Sequence, residues 1–197
     1  RDKYGVSPLR GKIMNVKDAS LQKITDNAEI TALKKILGLE QNKKYEDVSN
    51  LRYGSIMIMT DQDHDGSHIK GLLFNVFQSL WSSLYKIDGF MTSMLTPIVK
   101  AFNTKGDVMS FYNMTDYENW SNSDNSKRGK WKIKYYKGLG TSKDDEAKEY
   151  FKNMKKITYK YNENSDEKID LAFNKKRTDD RKTWLTNYDK NNVLDYT

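Results

Sequence analysis

The chain of 197 residues has no cysteine, two histidines and two prolines. The lack of cysteine argues against a disulfide-bonded secreted domain and a thiolate zinc site, and two histidines are too few to replace the thiolates. No stretch approaches the roughly 20 consecutive apolar residues that a membrane helix needs. We therefore expect one domain, with a small appendage, that does not enter a membrane.

Positive charge is in excess. Lysine and arginine number 34 against 27 aspartate and glutamate residues, which gives a net charge of +7. Such a balance is compatible with a polyanionic partner such as nucleic acid. It is equally compatible with an ordinary solvated surface, so charge alone leaves both interpretations open.

The most informative stretch joins an apolar run to an acidic turn and then to a helix. Ile56–Met59 have the length and composition of a strand buried on both faces. Asp61, Asp63 and Asp65 follow at alternate positions, and residues 69–84 repeat apolar side chains at helical spacing. This order of strand, turn and helix is typical of α/β proteins, which bind ligands at the carboxyl ends of their strands.

Three carboxylates within five residues repel each other unless a cation or a basic partner is near. Oxygen ligands favour Mg²⁺, Mn²⁺ or Ca²⁺. An EF-hand is excluded, because the twelfth position counted from Asp61 is Leu72, where that calcium loop needs a bidentate glutamate. The remaining alternative is an acidic helix N-terminus that the helix dipole stabilises.

Two other segments have residues suited to phosphate. Arg10 and Lys12 flank Gly11, which lets backbone amides and two cations approach a phosphate together, although an ordinary surface turn is an equal alternative. Lys137–Ser142 places two glycines between a strand and a helix, where backbone amides can bind phosphate.

Periodicity and turn composition predict the remaining elements coarsely. Asp26 or Asn27 is expected to cap an internal helix, and Thr115 or Asp116 a short later one. The predicted elements are two helices in 18–39, a strand in 91–95, a hairpin of 98–103 with 108–112, a strand in 131–136, a helix in 143–154 and terminal helical segments at 169–173 and 184–188.

Several motifs together resemble one family. Thr60–Gly71 resembles the acidic motif of the TOPRIM domain in eukaryotic-type (type IIA) DNA topoisomerase II. Pro8–Val16 is similar to that family's DNA-facing segment, and Lys134–Thr141 is similar to its Lys-Gly-Leu-Gly loop. Phe111–Met114, Ala172–Arg177 and Asp180–Trp184 also follow the family's order, so the resemblance covers essentially the whole chain.

The resemblance implies a fold and a set of site residues. The expected fold is an α/β, Rossmann-like TOPRIM domain in residues 1–157, with a central, mainly parallel sheet flanked by helices, followed by a small helical extension in 158–197. It implies that Asp61, Asp63 and Asp65 bind Mg²⁺, with Mn²⁺ or Ca²⁺ as substitutes. It also implies DNA-binding residues, which are Arg10, Lys12, Asn15, Tyr136, Lys137 and Gly138.

The resemblance further implies that this chain is the metal-binding part of the cleavage and religation core of an ATP-dependent isomerase acting on double-stranded DNA. The general-acid glutamate, the nucleophilic tyrosine and the ATP site are expected outside these residues, as is the homodimer interface. A nuclear location follows for a cellular eukaryote, and host cytoplasm or virion for a large DNA virus. The alternatives are another TOPRIM protein, such as a primase or nuclease, or a non-catalytic metal-dependent DNA-binding module.

Overall fold

The computed structural model describes residues 3–124, 129–136 and 138–189. Its helices are α1 (Leu21–Thr25), α2 (Ala28–Leu37), α3 (His64–Leu80), α4 (Ser82–Tyr85), α5 (Met114–Asn122), α6 (Asp144–Lys152), α7 (Ser165–Phe173) and α8 (Thr178–Thr186). Its strands are β1 (Ile56–Ile58), β2 (Met91–Met94), β3 (Val99–Asn103), β4 (Val108–Phe111), β5 (Trp131–Tyr135) and β6 (Lys156–Thr158). Short 3₁₀ turns cover Leu139–Thr141 and Lys175–Arg177.

The first sheet has the order β1-β2-β6. β1 and β2 are parallel, and α3 with α4 forms the crossover between them. β6 returns much later in the chain and pairs with β2 in the antiparallel direction. All four residues of β2 are buried, as expected for the central strand of a covered sheet.

The second sheet, β4-β3-β5, is antiparallel throughout. One of its faces packs on α5, where the Trp120 ring centroid lies 5.1 Å from that of Phe111 in β4 and 5.3 Å from that of Trp131 in β5. The α/β class is confirmed, but only the β1–β2 pair is parallel among the described strands. The turn between β3 and β4 is too short for the crossover that a parallel pair requires.

Helix α3 is the centre of the main core. Val76 and Phe77 on this helix are fully buried, and Phe77 packs edge-on against Phe90 with centroids 5.4 Å apart. The predicted C-terminal helical extension packs on the same helix, since the Phe173 ring of α7 lies so close to Gly71 that a Cβ there would stand 2.9 Å from it. The helix that begins at the acidic turn is therefore held from both sides.

Two local expectations were wrong. Ile58 is buried, but Ile56 and Met57 are only partly buried and the adjoining Met59 is 38% exposed, so the run is not covered on both faces. The cap of α5 is Asn113, whose Oδ1 accepts a hydrogen bond from the Asp116 amide at 2.8 Å. By contrast, Asn27 caps α2 as predicted.

The described residues contain no helix that is both long enough and apolar enough to cross a bilayer.

Candidate functional site

The acidic turn is fixed by its own backbone and by the start of α3. Asp63 is the N-cap residue, and its Oδ1 accepts a hydrogen bond from the Gly66 amide at 2.7 Å. Gly66 is buried, and a Cβ at this position would lie 1.9 Å from the backbone oxygen of Asp61. Only glycine fits there. One oxygen of Asp63 therefore acts as the helix cap that the sequence offered as an alternative. The negative charge of this carboxylate is also stabilised by the positive end of the helix dipole.

Asp61 contacts the glycine loop, which we define as residues 138–142. Its Oδ1 accepts a hydrogen bond from the Leu139 amide at 2.7 Å. A Cβ on Gly138 would stand 2.4 Å from Asp61 Oδ2, so the missing side chain leaves the space that the carboxylate fills. Two segments separated by almost eighty residues therefore meet at one carboxylate, with Gln62, Tyr136 and Gly138 lining a small cleft beside it.

Asp65 points instead to the basic segment, which we define as residues 10–12. Its Oδ1 forms an ion pair with Lys12 Nζ at 2.6 Å, and the two side chains are 75% and 46% exposed. The hydrogen bond from Lys12 and its charge lower the pKa of Asp65 below the ordinary value. Arg10 and Gly11 are exposed on the same segment. The structure thus places the predicted cation Lys12 against the acidic turn, paired with Asp65, and leaves Arg10 exposed two residues earlier.

Asn15 has an internal position. Its Nδ2 donates to the backbone oxygen of Phe173 at 2.9 Å, and its Oδ1 accepts from the Lys17 amide and from Asn75 Nδ2. Asn75 is fully buried in α3. The Asn15 amide therefore joins the chain just after the basic segment to α3 and α7, and its contact with DNA stays a prediction. Sequence reasoning missed Asn75, whose polar side chain on an otherwise apolar helix face was the available signal.

Tyr136 is 8% exposed, and its hydroxyl donates a hydrogen bond to Glu146 Oε1. Burial and the neighbouring Glu146 carboxylate raise the pKa of the Tyr136 phenol strongly, so it stays protonated. The position of the Tyr136 side chain does not test its predicted contact with DNA, which stays a prediction. Lys137 lies outside the described residues.

Glu146 was missed from the sequence, although an acid in the first turn of a helix after a glycine-rich loop was visible. Lys134 Nζ lies 2.8 Å from its Oε2, and the Lys143 amide donates to Oε2 at 2.8 Å. Burial alone would raise the pKa of Glu146, but these partners and the Tyr136 hydroxyl outweigh it and lower the pKa to about 2.

The donor set suits a hard cation only in part. All the candidate ligands are carboxylate oxygens, which Mg²⁺ and Ca²⁺ prefer. In the described part of the chain, no hydrogen bond occupies the second oxygen of Asp61 or of Asp63. No group of three acidic, histidine or cysteine side chains there converges closely enough to hold a metal ion. Asp61 and Asp63 therefore fit as two ligands of a site that needs further oxygen donors.

Lys70 on α3 adds one positive charge near this turn. It is half-buried, and burial lowers its pKa while the charge of Asp63 acts in the opposite direction. Its charge offsets part of the repulsion between the carboxylates.

Comparison with known proteins gives a consistent result over the whole chain. The family model described as the Toprim domain matches residues 1–93, and that of the C-terminal associated domain of TOPRIM matches residues 94–197. DNA topoisomerase 2 of Saccharomyces cerevisiae is 53% identical over 100% of this chain, and DNA topoisomerase 2-alpha of Homo sapiens is 54% identical over 95% of it.

The same comparisons show how small the matched part is. The chain spans 14% of the yeast relative and 12% of the human one. A crystal structure of the Plasmodium falciparum topoisomerase II DNA-binding, cleavage and re-ligation domain matches with a TM-score of 0.89 and 49% identity, covering 100% of this chain and 27% of that one.

Proposed function

We propose a function from one established premise: the chain belongs to the Toprim family, as the segment of eukaryotic-type DNA topoisomerase II that comprises the Toprim domain and its C-terminal associated domain. The proposed function is metal binding in the DNA cleavage and religation core. The observation that carries it is the contact between Asp61 and Leu139, which brings the acidic turn and the glycine loop together. The ion pair of Lys12 with Asp65 adds the basic segment to the same place.

Asp61 and Asp63 are the proposed metal ligands, with Asp65 as a supporting one, and Mg²⁺ is the proposed cation, for which Mn²⁺ or Ca²⁺ can substitute. When bound, the cation would offset negative charge on the attacking and leaving oxygens of phosphoryl transfer. The chain's own residues prepare this site. The Leu139 amide orients Asp61, and the cap interaction with Gly66 orients Asp63. Both carboxylates keep one oxygen for a ligand.

The basic segment and the glycine loop are proposed to position the DNA backbone. Lys12 is exposed and contacts Asp65 of the acidic turn, Arg10 is exposed two residues earlier, and Gly138 packs against Asp61. Contacts of this kind fix register and orientation without reading sequence. Lys12 has to exchange Asp65 for a phosphate to take part, because in the free chain the two form an ion pair.

For the whole protein, we propose transient double-strand cleavage, ATP-dependent strand passage and religation, carried out by a homodimer in the nucleus of a cellular eukaryote. The nucleophile, the ATP site and the further metal ligand are assigned to other parts of that protein. Since the described residues lack a group of three ligands, a metal-dependent DNA-binding module without cleavage activity is the second candidate for this chain alone. The isolated chain is therefore expected not to nick DNA.

The experiment is a Mn²⁺ titration of the full natural polypeptide that carries this chain, by calorimetry, combined with plasmid relaxation in Mg²⁺. We expect Asp61→Asn to weaken Mn²⁺ binding by at least about tenfold, because even groups that only support a ligand account for 10- to 100-fold. Relaxation should fall in parallel. Asp145→Asn removes the same charge from an exposed position of α6 and serves as the control. Unchanged Mn²⁺ affinity in Asp61→Asn would exclude Asp61 as a ligand.

A further inference from the structure

One carboxylate holds both ends of the segment that carries the glycine loop. The Tyr136 hydroxyl donates to Glu146 Oε1 just before the loop, and the Lys143 amide donates to Glu146 Oε2 just after it. Lys134 on β5 donates to both oxygens, at 3.0 and 2.8 Å. The Glu146 side chain is only 18% exposed, so these contacts are partly shielded from water.

The middle of that segment makes the contact with the acidic turn. Leu139 donates its amide to Asp61, and Gly138 packs against the same carboxylate. The loop also closes on itself, because the Thr141 amide and hydroxyl both donate to the Gly138 backbone oxygen. A closed loop that is fastened at both ends transmits the position of its ends to its centre.

Cation–π contacts support the same arrangement. Lys134 Nζ lies 4.4 Å from the centre of the Tyr136 ring, a cation–π contact that adds to the hydrogen bond of the Tyr136 hydroxyl in holding this side chain. Lys100, which is 6% exposed, lies 5.0 Å from the Tyr150 ring and 3.6 Å from Glu149 Oε2. The start of the loop is thus held by a charged cluster between β3, β5 and α6.

We propose that Glu146 is a positioning residue for the metal site: by fastening Tyr136 and Lys143 it holds the Leu139 amide on Asp61 and so orients that carboxylate. This inference rests on the proposed function, because it assigns a supporting residue to the same site. The proposed positioning role of Glu146 differs from a role in capping α6 alone. A capping residue stabilises α6 and the fold, whereas a positioning residue changes the acidic turn, to which Glu146 makes no direct contact among the described residues.

The test uses the full natural polypeptide and two readouts. The first is hydrogen exchange of the Leu139 amide, followed by mass spectrometry of peptides that cover residues 138–142, in the absence of metal. The second is Mn²⁺ affinity by calorimetry. Glu146→Gln keeps the size of the side chain and removes its charge. Asp145→Asn removes one charge from the neighbouring position and leaves the loop contacts intact, so it is the matched control.

We expect Glu146→Gln to speed exchange of the Leu139 amide about tenfold, as loss of a hydrogen bond to a charged group predicts. Mn²⁺ binding should weaken about tenfold, the lower end of the effect of removing a group that orients a ligand. Exchange in β3, away from the loop, should stay near that of Asp145→Asn. If both readouts of Glu146→Gln equal those of the control, the proposal is wrong.

A second variant decides the case in which Glu146→Gln unfolds. Tyr136→Phe removes only the hydroxyl that donates to Glu146 and keeps the ring in place. Faster Leu139 exchange in Tyr136→Phe at an unchanged melting temperature supports the proposal, and unchanged exchange overturns it. The exchange measurement needs no metal, so it tests the role of Glu146 independently of metal binding. The proposed function is tested separately: it is wrong if Asp61→Asn binds Mn²⁺ with unchanged affinity, whatever the result for Glu146.

Discussion

Gly138→Ala should damage the metal site without straining the backbone. Gly138 has φ 177° and ψ 177°, an extended conformation that alanine adopts freely. The obstacle is the carboxylate of Asp61, whose three side-chain atoms would lie 2.4, 2.6 and 2.7 Å from the new Cβ. Because contacts under 3.0 Å essentially never occur for a real Cβ, the carboxylate or the loop must move by at least 0.6 Å.

That movement separates Leu139 from Asp61, whose hydrogen bond is 2.7 Å long. A hydrogen bond to a charged group contributes about 1.5–3 kcal/mol, and the partial exposure of Asp61 favours the lower value, equivalent to about tenfold in binding. We therefore expect Gly138→Ala to weaken Mn²⁺ binding about tenfold in calorimetry. DNA cleavage in the full natural polypeptide should fall by more, because misplacing a reacting group by about 1 Å can cost 100-fold.

The same loop provides the control. A Cβ at Gly140 would meet nothing within 4 Å, so Gly140→Ala adds the same methyl group two residues later without a clash. It should bind Mn²⁺ like the unaltered protein. If Gly138→Ala and Gly140→Ala bind Mn²⁺ with equal affinity, the packing of Asp61 on the glycine loop does not contribute to metal binding and the reasoning is refuted.

Three further predictions concern stability and charge. Gly66→Ala should lower the free energy of unfolding by about 1–3 kcal/mol in urea titration, since its Cβ would lie 1.9 Å from the Asp61 backbone oxygen; an unchanged midpoint would contradict this. Lys12→Met should raise the pKa of Asp65 toward 3.8 in a carbon-13 carboxyl titration, because Lys12 is the main cause of its lowering; no change would show that the ion pair is absent in solution. Glu146, with a folded pKa of about 2 against 4.5, adds stability that is complete above pH 4.5 and is lost as pH falls toward 2. Melting temperatures across that range should fall less steeply in Glu146→Gln, and equal slopes would refute the assignment.

Local sequence signals predicted most of the elements because those elements depend on neighbours in the chain. Asn27 caps α2 through an interaction three residues long, and the hairpin of β3 and β4 follows from a turn and two short runs. β6 was missed. Its three residues, Lys156–Thr158, are charged or polar around one isoleucine and become a strand only because β2 offers them an edge.

The candidate site, like the fold, could be predicted from the sequence only in part. The acidic turn was visible as three aspartates at alternate positions, but their different partners were not. Leu139, Gly66 and Lys12 each engage one of the three acids, and two of these contacts come from distant parts of the chain. A spacing pattern shows that carboxylates are near each other, whereas tertiary packing decides which oxygens stay free. The division of the chain at residues 157 and 158 stays a prediction.

The late return of β6 has a consequence for how the chain is made. β2 is buried along its whole length, yet one of its edges is open until residues 156–158 have been synthesised and have paired with it. A ribosome that has released only the residues up to 94 therefore exposes a strand edge with unpaired backbone groups, the kind of surface that pairs with strands of other chains. Fragments that end after β2 and before β6 should aggregate. Pairing of β6 with β2 removes this exposed edge from the nascent protein.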